Sequence, residues 1–215
     1  MSDSQGAAII GADSAQVDRY IESSYVDAWR RCVKVMPRVW FENKSFAEAT
    51  LVPDLEKGTG HVVLPVDFYV LTRFKMQGWQ KAVHEAALEN ERTSNIQSND
   101  YTRGSSIRPV CTLSIKVDTS GTKHILNYYS LKKGLTSHVV EEAIYVPVAT
   151  PLTEIAMDDE VNLHDQVVEP LAYILASSVF TMFEKYDISK ALEARAAEMF
   201  PGLQTVKMGT LTTKQ

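Results

Sequence analysis

The chain has 215 residues, 45% hydrophobic and 23% charged, which excludes a disordered polymer and leaves enough apolar material for a packed core. Its formal net charge of -5 gives no general affinity for nucleic acid or anionic membrane surfaces, and no apolar run approaches membrane-spanning length. The two cysteines, Cys32 and Cys111, form no CxxC pair, and the five histidines share no metal-ligand spacing. Buried free thiols and surface or loop imidazoles are expected, with no cofactor or metal.

Residues 1–13 are small and polar and read as a flexible arm. They carry no positive n-region, and Ala7-Ala8-Ile9-Ile10 is too short for a signal peptide, so synthesis and retention in a cytoplasm are expected. Val17, Tyr20, Ile21, Ser24, Tyr25, Ala28, Trp29 and Cys32 recur at helical spacing after Ser14, and Pro37 stops the pattern. Arg30, Arg31, Lys34 and Arg38 could meet a phosphate or a partner's acids; a solvated helix end complementing the dipole is the stronger reading. Phe46 to Val52 fits a short helix or a turn, and Gly58-Thr59-Gly60 is too little for a phosphate loop.

From His61 the pattern turns β-like. Phe68, Val70, Thr72, Phe74 and Met76 alternate onto one side, Gly78-Trp79 marks a turn or bulge, and Gln80 to Leu88 fits a strand followed by a helical turn. Residues 89–106 are polar throughout and are expected to form the longest loop. Three strands are expected over Arg108–Val117, Lys123–Leu131 and Val139–Val146, the first two joined by a hairpin turn at Asp118-Thr119-Ser120-Gly121. Helical periodicity returns in Val167, Val168, Leu171, Ile174, Leu175, Ser178, Met182 and Tyr186, with Pro170 kinking that helix or starting its longer half. A last helix is expected over about Lys190–Phe200, ended by Pro201-Gly202, and 203–215 reads as an extended tail.

The expected fold class is α+β: a helical bundle from N-terminal and C-terminal helices with an inserted antiparallel β-rich region. The expected organisation is a flexible arm at 1–13, a helical bundle from 14–60 and 148–200, a β-rich insertion at 61–147, and an extended C-terminal tail at 201–215.

Catalytic signatures are missing: no G-x-S-x-G, H-E-x-x-H, Walker A or G-x-G-x-x-G occurs, so no catalytic residue is named and an enzyme is not expected. The pairs Glu141-Glu142 and Asp158-Asp159 are read as solvated charge, and Tyr128-Tyr129 as core or interface packing. Asp67 could serve as a general base, but no perturbing partner can be named from the sequence.

One stretch carries a resemblance. Leu64-Pro65-x-Asp67-Phe68, then Phe74-Lys75-x-x-Gly78-Trp79, then Tyr101-x-Arg103-Gly104 and Arg108-Pro109-Val110, resembles the head-to-tail connectors (adaptor or ring proteins of the neck) of tailed bacteriophages. The likeness is greatest to crAss-like and podovirus-type phages, and the order of elements agrees over about Ser14 to Phe200. The resemblance implies a structural virion protein assembled in the bacterial host cytoplasm. It implies a self-assembled ring, usually dodecameric, beneath the portal protein. That ring would contact further neck or tail proteins and pass genomic DNA through its channel without specific binding or membrane contact. On this reading Leu64, Pro65 and Phe68 seat the insertion on the bundle. Trp79, Tyr101, Arg103 and Arg108 contact a neighbouring subunit or partner, as aromatic and Arg side chains do at interfaces, with local loop packing as the alternative. The C-terminal segment, with Lys207, docks on the portal. The competing readings are another phage assembly, tail-completion or capsid-associated protein, a small-ligand binding domain, or an enzyme of unknown class.

Overall fold

The computed structural model describes residues 14–118, 121–150 and 163–200. The arm 1–13, the hairpin turn residues Thr119 and Ser120, Asp158-Asp159 and the tail with Lys207 lie outside the described residues. The chain divides into two compact units. The described residues of the first are 14–41, 149, 150 and 163–200; the second is Glu42–Val148.

In the helical unit, α1 spans Ser14–Val35, α3 Asp165–Met182 and α4 Tyr186–Glu198. Helix α1 buries Tyr25, Ala28, Trp29, Cys32 and Val33, the three- and four-residue spacing of one helix face. A 3-10 turn, Arg38–Trp40, follows Pro37, and Phe41 meets Trp29 edge to face with ring centroids 5.8 Å apart. Pro170 sits in the second turn of α3, where it is buried, and Val167, Leu171 and Ile174 share its inward face. The break between α3 and α4 comes at Phe183–Lys185, with Glu184 at φ 58°, so the last helix starts at Tyr186 and not at about Lys190 as expected. Ser189 is instead inside α4, where its hydroxyl meets those of Ser177 (2.9 Å) and Thr181 (2.8 Å) on α3. Small hydroxyl residues let two helices approach closely while satisfying each other's polar atoms.

The second unit holds β1 (Lys44–Ser45), β2 (Leu51–Asp54), β3 (Thr59–Val63), β4 (Phe68–Met76), β5 (Ala87–Leu88), α2 (Glu91–Ser98), β6 (Cys111–Asp118), β7 (Gly121–Tyr128) and β8 (Val140–Pro147). They form a three-stranded sheet, β1-β8-β4, and a five-stranded sheet, β2-β3-β7-β6-β5. One core cluster draws Leu71, Phe74, Met76 and Tyr145 from the first sheet and Val62, Cys111, Leu126 and Tyr128 from the second. Phe46 joins them, stacked on Phe74 at 6.0 Å and edge-on to Tyr145 at 5.7 Å.

This architecture corrects the expected fold class. Among the described residues the protein is mixed α+β with four α-helices and eight strands, not terminal helices flanking one antiparallel insertion. Helix α2 lies among the strands. It starts where the Asn90 side chain accepts the Thr93 N–H at 2.8 Å, an N-cap hidden inside a stretch read as loop. Strands begin at Lys44, in a region expected to be helical. The pairing is not wholly antiparallel either: β5 pairs β6 in parallel, and residues 89–110, α2 included, supply the crossover that a parallel pair requires.

Strand β4 shows why simple alternation misassigned part of its core face. Its pairing with β8 shifts register between Phe68 and Val70, Leu71 and Arg73, and Lys75 and Met76. Each irregularity changes which residues face inward, so Leu71 joins Phe74 and Met76 in the core while Val70 and Thr72 are only partly buried.

Candidate functional site

Two features of the β unit stand out: a polar cavity beside a buried histidine, and an apolar stripe that outruns the core.

The cavity, about 890 Å³, opens between the loop after α2 and the β7–β8 connection. Its walls include Gln77, Tyr101, Ser106, Lys132, Ser137 and His138. The loop is fastened from inside. Arg103, whose side chain is 14% exposed, donates to the backbone oxygens of Lys57 and, at 3.4 Å, Leu131, with Asp100 3.7 Å from its Nε. The buried Gln97 accepts the Gly104 N–H at 3.0 Å. Gly104 is required by close approach, because a Cβ there would lie 2.4 Å from Ser130 Oγ.

His138 is 7% exposed, and its Nδ1 lies 2.7 Å from the hydroxyl of fully buried Tyr128. Its other ring nitrogen, Nε2, is buried without a hydrogen-bond partner. Burial lowers the His138 pKa, only partly opposed by Asp54, so the ring is neutral near neutral pH. Burial raises the Tyr128 pKa, with Asp54 adding to it, so that hydroxyl keeps its proton.

The stripe lies on β6. Cys111, Leu113, Ile115 and Val117 alternate onto one face, and the β6–β7 ladder runs without a register break from Cys111↔Tyr128 to Asp118↔Gly121. Cys111 is 2% exposed and Leu113 packs against the core, but Ile115 is 62% and Val117 76% exposed. The hairpin edges also run past their neighbours. Strand β5 pairs only Thr112 and Leu113 of β6, and β3 pairs only Ile125–Tyr128 of β7, with Leu64 adding one bond to the His124 oxygen.

The residues singled out by sequence fall in several environments. Trp79 is 3% exposed and packs edge to face on Phe74, 5.8 Å between centroids, so it is a core residue and not a presented contact. Tyr101 is 98% exposed at the rim of the cavity, its backbone N–H held by Asn99 Oδ1 at 2.9 Å. Arg103 is an internal staple, as above, because its guanidinium finds backbone oxygens of two other segments. Arg108 is exposed, with its backbone bonded to Ser105 in both directions. Leu64 is buried in the β unit's own core, Phe68 stacks on Tyr145 at 5.5 Å, and Pro65 accepts the Phe68 N–H at 3.1 Å. The structure brings Tyr101 and Arg103 to one cavity and leaves Trp79 and Phe68 in packing roles.

Other sequence candidates resolve into structural pairs. Asp67 accepts from the Tyr145 hydroxyl at 2.7 Å and Lys44 at 3.0 Å. Partial burial alone would raise its pKa, but these two contacts bring it below the ordinary aspartate value, which makes it a poor base. Glu141 pairs with Lys75 at 3.0 Å and Glu142 with Arg73 at 2.6 Å across β4 and β8. Arg30 pairs with Asp27 and Arg31 with Glu193, each at 3.2 Å. Cys32 and Cys111 are free and buried; burial pushes Cys32 up to about 12 and Cys111 higher still. Among the described residues no group of three His, Cys, Asp or Glu side chains could hold a metal, and no helix is long and apolar enough to cross a membrane.

Sequence reasoning missed His138, which single-residue defaults place at the surface, and the uncovered end of the β6 stripe. The Cys-x-Leu-x-Ile-x-Val pattern signals a buried face, and nothing in it shows where the core stops. The sequence matches no protein-family model, and no curated protein matches it.

Proposed function

We propose that the protein is a structural subunit of a tailed-phage neck, a self-assembled ring beneath the portal that joins head to tail and continues the DNA channel. The observation that carries this reading is the β6 stripe. An alternating apolar face is a pattern made for burial, and its distal half, Ile115 and Val117, is left in solvent between strand edges that have no pairing strand among the described residues. A neighbouring subunit that lays a strand or an apolar patch on this hairpin would complete the face, the way sheet edges take up partner segments. Lys116 and Lys123 stand opposite each other on the same ladder and discourage indiscriminate edge pairing before assembly.

A closed ring needs two different complementary patches per subunit. The β6–β7 hairpin supplies one, and the loop bearing exposed Tyr101 and Arg108 is a candidate for contact with the portal or with further neck or tail proteins. The resemblance of the Leu64–Val110 stretch to neck connectors supports the same assignment, and implies a dodecamer in the virion. The net charge of -5 suits a channel through which DNA slides without being held.

The test is to mix the purified chain with portal rings of the same phage and weigh the complexes. The wild type should add a ring to the portal, and Ile115→Asp with Val117→Asp should abolish that addition while the variant stays folded by circular dichroism. Rings that form equally well with the double variant would remove the hairpin from the interface, and no binding by the wild type would remove the neck assignment.

A further inference from the structure

We propose that the distal end of the β6–β7 hairpin takes up residues 7–12 of a second copy of this chain as an added strand along the β6 edge. This rests on the reading that a neighbouring subunit covers the hairpin, and it names the segment that does so.

The first observation is the open edge. Strand β5 pairs β6 only as far as Leu113, so from Ser114 to Asp118 the outer edge of β6 has no pairing strand among the described residues. Such an edge offers its backbone donors and acceptors to a strand of similar length. One face of that strand has to be apolar, because it would lie beside the exposed Ile115 and Val117.

The second observation is charge. Lys116 stands opposite Lys123 on the ladder and the exposed His124 opposite Ile115, against one acid, Asp118, at the turn. Two such hairpins set edge to edge would bring like charges together, which disfavours a self-paired edge. The two terminal segments outside the described residues differ in sign. Residues 1–13 carry Asp3 and Asp13 and no lysine or arginine, whereas residues 203–215 carry Lys207 and Lys214 and no acid. Charge complementarity selects the N-terminal segment.

Within it, Ala7-Ala8-Ile9-Ile10-Gly11-Ala12 is uncharged and matches the open edge in length. Successive side chains of a strand face opposite ways, so in either register one isoleucine comes to lie beside Ile115 and Val117. Donor segment and acceptor hairpin are different parts of one chain, which makes the contact heterologous, the kind from which a ring closes.

The experiment uses the isotope-labelled full chain with Ile9→Asp and Ile10→Asp, which disable its own segment. Synthetic peptides of residues 1–13 and 203–215 are titrated in separately, and NMR follows the amides of Ser114 to Val117 and the methyls of Ile115 and Val117. The 1–13 peptide should shift these signals saturably and bind about tenfold more tightly than the 203–215 peptide, on account of their opposite charge. A 1–13 peptide carrying both aspartate substitutions should leave the signals in place. No shift with millimolar 1–13 peptide, or equal binding by the 203–215 peptide, overturns the proposal. So does a difference at these signals between wild type and double variant that is the same at every protein concentration, because the chain would then fill its own edge. Mixing with portal rings separates this proposal from the neck reading. Rings that form as readily with Ile9→Asp and Ile10→Asp as with the wild type overturn the segment and leave the neck assignment. Peptide binding by a chain whose wild type adds nothing to portal rings overturns the neck assignment and supports the segment.

Discussion

The two ends of the β6–β7 hairpin share one ladder and one alternation, yet they live in different solvents. At the base, Cys111, Thr112, Leu126 and Tyr128 are 2% exposed or less. At the tip, Ile115 and Val117 are mostly in water. Strand pairing alone can hold a short ribbon only marginally, so the tip is carried by the packing of the base. The base is thus where stability resides, and the tip is where apolar surface is held in reserve for a partner. An apolar side chain that adds little to the stability of the monomer can be selected for assembly without disturbing the fold.

Substitutions at the base should therefore be costly. Leu126→Ala removes a fully buried side chain and should lower unfolding free energy by about 3 kcal/mol in urea denaturation. A loss below about 1 kcal/mol would mean the base is not the anchor. Gly60→Ala probes the same region from β3, since the added Cβ would lie 2.3 Å from the Tyr128 hydroxyl and 2.6 Å from the Val52 oxygen. The backbone oxygen cannot move away cheaply, and a loss of about 2 kcal/mol is expected by the same method.

Acid should act on the base as well. Unfolded, His138 titrates near the ordinary histidine value of about 6.5. Folded, burial lowers its pKa, so between the two values the unfolded chain holds more protons. Stability from this residue is complete above the ordinary value and is lost as pH falls below it toward the folded one. Asp67 acts lower: its folded pKa lies below the ordinary aspartate value, so its contribution is present above that value and lost as pH falls through the folded one. Its carboxylate is 42% exposed, so screening keeps this second effect under about 1 kcal/mol. Urea midpoints measured from neutral pH downward should fall first across the histidine range, and His138→Gln should flatten that first fall. A wild-type midpoint that rises across that range would contradict the sign.

The tip should respond least. Ile115→Asp or Val117→Asp should change monomer stability by no more than about 0.5 kcal/mol, as expected for exposed positions. A large loss would show that the tip is part of the core after all.

How much of this was legible beforehand depended on which force set each element. Helix α1 and strands β6, β7 and β8 were readable because burial of one face imposes a period on the residues. Helix α2 was not, since its hold on the fold is polar, an Asn90 cap and a buried Gln97, and polar residues carry no period. Strand β4 was readable as a strand but not in its facing, because bulges shift alternation without a mark in the sequence. Trp79 and Arg103 have side chains of the kind interfaces use, and the fold turns both inward. The environment of His138 is set by its contact with the Tyr128 hydroxyl, across ten residues, which no local pattern reports.

The central claim is that the distal face of β6 is buried by a neighbour in a ring below the portal. A cryo-EM map of the phage neck tests it most directly. The chain should occupy a ring beneath the portal, with Ile115 and Val117 covered by an adjacent subunit. A neck map without this chain, or one in which both side chains remain in solvent, would contradict it.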